Sequence, residues 1–164
     1  SSCGAGWSDV HHDLGDNYHY LGEGTPYNYI FYGKELKSGG LTIDKVIILP
    51  NVEDFSVDNK FIVVRQKPSL ESIKDNIIYL DRKYSYLSDT LHLSSESSYS
   101  VRLKYVLSMA DSIVKKDDFY NEVLKRNENF YVIDKINKKV YGPLSKLEFE
   151  DRVKKLNISV KLKW

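Results

Sequence analysis

Asn129–Ile158 reads NFYVIDKINKKVYGPLSKLEFEDRVKKLNI, a short β-hairpin that runs through Gly142-Pro143 into a capped amphipathic helix. Phe130 to Asp134 is rich in aromatic and β-branched residues, as a half-buried strand requires. Lys135-Ile136-Asn137-Lys138 is polar enough to turn, with Asn137 the residue that best tolerates positive φ, and Lys139 to Tyr141 returns as the partner strand. Ser145 and Glu148 are spaced as a capping box, and Leu144 and Phe149 as a hydrophobic staple. Leu147, Phe149, Val153 and Leu156 supply the expected apolar stripe. Lys154 and Lys155 suit the negative end of the helix dipole, and Asn157 suits the C′ position.

Outward from this unit, residues 17–66 read as an antiparallel meander. Strands are expected at Asn17–Leu21, Tyr27–Tyr32, Thr42–Leu49 and Phe61–Gln66, divided by Gly22–Pro26, Ser38-Gly39-Gly40 and Asp58-Asn59-Lys60. The linkers are too short for crossover connections between parallel strands. After Pro68, Leu70, Ile73, Ile77, Leu80, Tyr84 and Leu87 follow a helical seam; the rival reading of Ile77–Leu80 is a strand. Residues 88–100 are serine-rich and read as a surface connection. Leu103, Val106, Ala110 and Ile113 make a second helix, and Asp117 caps a third. The tail Val160–Trp164 alternates, and either adds a last strand or trails free.

The fold expected is α+β: an antiparallel sheet over 17–66 completed by the 130–141 hairpin, with segregated helices. A tether of residues 1–16 precedes a single domain of 17–164, in which 68–128 is a helical insertion covering one face through Leu70, Ile73, Ile77 and Leu80. The C-terminal helix is expected on the same core.

The 164 residues suffice for one domain with a sizeable core. Net charge is +1, without the basic surplus of a nucleic-acid binder. No apolar run approaches the length of a membrane span. The 13 tyrosines fit strand propensity or a recognition surface. Gly22, Gly24 and Gly39-Gly40 match no phosphate-binding spacing.

The sole cysteine, Cys3, excludes an internal disulfide and a multi-thiolate metal site. It sits in Ser-Ser-Cys-Gly, within a Gly-, Ser- and Asp-rich segment, and small residues before a cysteine resemble the end of a bacterial lipoprotein signal. The competing reading makes Cys3 an arbitrary boundary. His11-His12-Asp13, with Asp9 and Asp16, is the one cluster of metal-ligand types, but adjacent histidines in extended chain point apart, so solvated tether residues are the default. No metal or cofactor is expected. His19 reads as a hydrogen-bonded sheet histidine, and His92 lacks a carboxylate partner in sequence. No catalytic residue is assigned.

Phe130–Asp134, the polar turn and V-Y-G-P-L-S-x-x-E-F at Val140–Phe149 resemble a family of small bacterial lipoproteins of unknown function. Asn17-Tyr18-His19-Tyr20, Ile47–Val52 and Asp58–Gln66 are similar as well, whereas 68–128 is longer than the resemblance implies. The resemblance implies a lipid-anchored protein of the bacterial cell envelope, with Cys3 as the lipidated residue. The functional expectation is therefore a non-catalytic envelope lipoprotein that binds a protein or glycan partner through its aromatic-rich sheet or its insertion. It meets the membrane through the lipid alone and takes no nucleic acid. The alternative is a hydrolase whose site gathers residues distant in sequence, around His19 and His92.

Overall fold

The structure, a computed structural model, describes residues 11–22, 28–93 and 97–163. The first antiparallel sheet takes β1 (His11–Gly15), β2 (Tyr18–Leu21), β3 (Tyr29–Tyr32) and β4 (Lys45–Ile48) in chain order. The second takes β5 (Val52–Val57), β6 (Phe61–Gln66), β7 (Asn129–Asp134) and β8 (Lys139–Leu144), also antiparallel and in order. Helices α1 (Leu70–Tyr79), α2 (Tyr86–His92), α3 (Tyr99–Lys116) and α4 (Asp118–Leu124) stand between β6 and β7, and α5 (Lys146–Lys155) follows β8. The fold is α+β.

The expected single sheet is in fact two. The break falls at Pro50, which has no N–H to extend a ladder, and the chain crosses there to start the second sheet. The sheets then pack face to face. Tyr18, Ile30 and Ile48 of the first meet Ile62, Val64, Tyr131 and Ile133 of the second in one buried cluster. Because side chains alternate along a strand, the other faces need covers of their own. Phe61, Val63, Phe130 and Val132 turn outward onto Phe149 of α5 and Leu162, a separate core from the one the C-terminal helix was expected to share. Leu21, Tyr29 and Phe31 turn outward onto Leu41, Ile43 and Leu80.

Two strands have no counterpart in the sequence reading. His11–Gly15, assigned to the tether, pairs with β2. Its inward side chain, Leu14, is 3% exposed and anchors an otherwise polar strand. Val52–Val57 pairs with β6, its alternation blurred by Glu53, Asp54 and Ser56. The tail makes no strand over its described residues; Leu162 plugs the α5 face, and the Lys163 amide donates to Asp54.

The hairpin and helix follow their local signals closely. Ser145 and Glu148 cap one another's backbone in a full capping box. Asn157, at φ +52°, ends α5, with its amide on the Lys154 carbonyl and that of Ile158 on the Val153 carbonyl. Leu147 is the exception in the stripe, 78% exposed, because two residues along a helix is about 200° of rotation from Phe149. In the hairpin turn the positive φ falls on Lys138, not Asn137, whose amide and side chain bond Asp134 instead. Gly142 has φ +140°, and a Cβ there would lie 2.4 Å from the Tyr131 ring, so only glycine lets β8 close on β7.

Lys135, 5% exposed, reaches from the second sheet to the first, its ammonium donating to the Leu14 carbonyl at 2.8 Å. Gln66, fully buried at the end of β6, uses every hydrogen-bonding site of its amide. Its nitrogen donates to the Leu49 and Pro50 carbonyls at 2.8 and 3.0 Å. Its oxygen accepts from the Asn129 amide at 3.2 Å and the Tyr131 hydroxyl at 2.9 Å. Gln66→Leu strands several of these groups in a dry core, each costing about 1–3 kcal/mol. Urea unfolding should show a loss of at least about 3 kcal/mol; a change under about 1 kcal/mol would mean the network is dispensable.

Candidate functional site

The insertion is built on a core of its own. Ile73, Ile77 and Ile78 of α1, Leu87 and Leu91 of α2, Val106 and Ala110 of α3, and Val123 of α4 pack together, meeting the sheet region at Leu49 and Val46. Of the expected cover residues, Leu80 does lie on the outer face of the first sheet, but Ile73 and Ile77 pack inside the lobe and Leu70 is 47% exposed, so most of the cover is replaced by a helical lobe beside β4. The long seam is broken after Tyr79. Asp81 starts a single 3₁₀ turn by accepting the Lys83 amide at 2.9 Å, and α2 restarts at Tyr86. The expected surface connection over 88–100 is partly helix, since α2 runs to His92 with Leu91 buried and α3 opens at Tyr99. Asp117 caps α4, as expected.

Outward, the lobe carries large apolar side chains. Tyr79 of α1, Tyr86 of α2, Tyr99, Val101 and Tyr105 of α3, and Phe119 of α4 are each about half exposed. Val101 and Tyr105, four residues apart, share one face of α3. Tyr79 meets Tyr99: burial, then the neighbouring Tyr99 hydroxyl, pushes the Tyr79 phenol above its ordinary range. The sheet tyrosines are different. Tyr18 and Tyr29 are buried, and Tyr20 and Tyr32 pack on the core between the sheets, so the aromatic-rich sheet is consumed in packing.

Between β4 and the lobe lies a cleft of about 360 Å³. On its floor the Asn76 amide donates to the Tyr120 hydroxyl at 3.2 Å, and that hydroxyl donates to the Asp81 carboxylate. Burial first, and the adjoining Asp81 second, push the Tyr120 phenol well up. On its wall Asp117 accepts from the Lys83 ammonium at 2.9 Å and the Tyr84 hydroxyl at 2.6 Å. Burial alone would raise the Asp117 carboxyl, but these bonds and the Phe119 amide outweigh it and leave it below the usual carboxylate range.

The histidines divide. His11 and His12 project apart on β1, with His12 exposed against Tyr20 and Phe55. His11 turns to His19, Nε2 to Nδ1 at 3.0 Å, while His19 Nε2 lies 3.2 Å from the Gly33 carbonyl. A nitrogen facing a carbonyl must carry its hydrogen, so His19 Nδ1 accepts and His11 donates. Burial, then His19, holds the His11 imidazole below its ordinary value. His19 is thus a bonded sheet histidine, as expected. His92 is exposed at the end of α2 and lies 2.8 Å from the Ser88 carbonyl; among the described residues no contact joins it to His19. No group of three metal-ligating side chains converges among the described residues. No described helix is long and apolar enough to cross a membrane. Cys3 lies outside the described residues.

Asn76 and Tyr120 escaped the sequence reading. They are 44 positions apart and carry no motif. Only the place of polar Asn76 on the helical seam, three residues after Ile73 and next to Ile77, hinted at a buried polar role.

Residues 99–164 match the family described as "Protein of unknown function (DUF3997)". The match starts at the first residue of α3, so it takes in half of the insertion along with the hairpin and α5. No curated protein and no solved structure matches the chain.

The depressed Asp117 carboxyl dictates a pH dependence. Its stabilising contribution is present above the unfolded carboxylate value, near 3.9, and is lost as pH falls through the lower folded value. Asp117→Asn should cost about 1–2 kcal/mol at pH 7. The gap from wild type should narrow below about pH 4 in chemical denaturation. A gap that stays constant down to pH 2 would contradict this role.

Proposed function

We propose that the protein is a non-catalytic lipoprotein of the bacterial cell envelope that binds a protein partner through the outer surface of its helical lobe. The observation that carries this reading is the half-exposed array of Tyr79, Tyr86, Tyr99, Val101, Tyr105 and Phe119. Tyrosine combines a large apolar face with a polar tip and loses little rotamer freedom on contact, which is why interfaces favour it. Of the two surfaces the sequence left open, the lobe is, among the described residues, the one with half-exposed aromatic side chains. Exposed aromatic side chains spread over four helices suit another folded protein better than a glycan chain.

The envelope address rests on the resemblance to lipoproteins and on Cys3, the sole cysteine, between Ser2 and Gly4. Residues 4–10 separate it from the start of β1. A diacylated Cys3 would gain about 0.8 kcal/mol of membrane affinity per buried CH₂, and the intervening residues would let the domain stand clear of the headgroups. The hydrolase alternative draws no support from His19 or His92, since among the described residues neither bonds a carboxylate.

Two measurements test the two halves of this reading. In cells expressing the protein from its native gene, the wild type should sediment with membranes and Cys3→Ser should be released; equal release of both would sink the anchor. A photo-crosslinking residue at position 105 should give one discrete protein adduct in the envelope. Tyr99→Ser should weaken that adduct at least about tenfold without lowering Tm, since the side chain it removes is 53% exposed. Deleting 88–100 is no substitute, because it removes buried Leu91 and the Ser98 cap and first two residues of α3.

A further inference from the structure

We infer that the cleft between β4 and the helical lobe is a binding site for a neutral, hydroxyl-rich ring, a single saccharide unit. This site shares Phe119 with the edge of the proposed protein-binding surface, but it is read by direct sugar titration, so the two readings fail independently.

The inference begins with an orphan acceptor. Asn76 is 3% exposed and lines the cleft, and its Oδ1 has no hydrogen-bond partner. The amide cannot relieve this by rotating. Tyr120 spends its hydroxyl hydrogen on Asp81, so it can only accept from Asn76, which fixes the nitrogen on the Tyr120 side. Buried carbonyl oxygens are satisfied as a rule, and this one, closed over in the cleft floor, is left for a donor that enters with a small adjustment of that floor. The cleft volume of about 360 Å³ lies within the range of small-ligand sites and exceeds what one water needs.

The lining selects among donors. Asp44, Asp81 and Asp117 are matched by Lys45, Arg82 and Lys83, three carboxylates against three cations. A strongly charged ligand would leave one of these sets opposed, whereas a neutral one offends neither. Acceptors and donors mixed around one rim suit a ligand whose groups both donate and accept, and the hydroxyl does so. Phe119, 51% exposed and tilted edge-on to Tyr120 at 5.2 Å, adds an aromatic face at the wall. The axial C–H face of a pyranose stacks on such a ring while its hydroxyls reach the polar rim.

The test uses the whole chain, isotope-labelled, titrated with glucose, galactose, mannose or N-acetylglucosamine up to about 50 mM and followed by amide chemical shifts. At least one sugar should give saturable shifts concentrated at 44–49, 76–83 and 117–120. Phe119→Ala, which removes an exposed ring and should leave Tm unchanged, should weaken that binding at least tenfold. Asn76→Leu, which removes the acceptor oxygen at similar volume, should weaken it while the amide spectrum stays dispersed. Two further arms separate the sources. A disaccharide binding at least tenfold tighter than its monomer would identify a glycan end, and equal binding a free sugar; both support the site. No saturable shift with any sugar, shifts confined elsewhere, or tighter binding of spermidine or citrate at the cleft would overturn the proposal.

Discussion

The carboxamide of Gln66 is the fixed point of this molecule. It joins the crossing at Leu49-Pro50, where the chain leaves one sheet for the other, to Asn129 and Tyr131, where it returns from the helical lobe. Four bonds on one side chain in a water-free site act together, because each polarises its neighbours and none can be replaced by solvent. Both sheets and the lobe therefore share a single polar junction inside apolar packing. Asn129 adds a second bond, donating at 2.8 Å to the Val123 carbonyl of α4, so the lobe's last helix is tied to the same point.

Around that junction the molecule separates its tasks. The contact between the sheets is made of interdigitated aliphatic and aromatic side chains, with the buried ammonium of Lys135 reaching across. The lobe has its own apolar core, knit to the sheet by Leu49 and Val46, with Leu80 beside them on Leu21, Tyr29 and Phe31. The cleft arises where these two bodies meet without interlocking. Its floor is polar because Asn76 and Tyr120 sit at the edge of the lobe's packing, while its rim takes charge from the 3₁₀ turn and from β4.

What could be read from residues alone follows how local the decisive contacts are. The capping box, the Asn157 terminus and the polar turn of the last hairpin were legible because each is decided within a few residues. The two-layer arrangement was not, because the pattern of Tyr18 to Tyr32 says that both faces are covered without saying by what. Polar β1 was hidden because its place depends on one inward side chain, Leu14, and on pairing with β2. The helix at Ile73–Ile78 was legible by spacing, yet its break after Tyr79 was not, since Asp81 is an ordinary residue until Tyr120 reaches it. The cleft residues were illegible for the same reason: 44 residues separate Asn76 from Tyr120, and no spacing rule spans a fold. The exposed tyrosines of the lobe could be counted in sequence, but not told apart from the buried ones of the sheet.

The register of β6 and β7 places Gln66 directly opposite Asn129, so residues 67–128 leave and re-enter the sheet at a single rung of the ladder. In polymer terms that rung closes a very long loop. If the intervening chain were still random, closure would cost roughly 2–3 kcal/mol more than the three-residue turn at 58–60. A lobe that has already collapsed on its own apolar core presents its two ends as neighbours and removes most of that entropy. The geometry thus favours a sequence of events in which α1–α4 condense early, and the central strand pair zips only once its ends have been brought together.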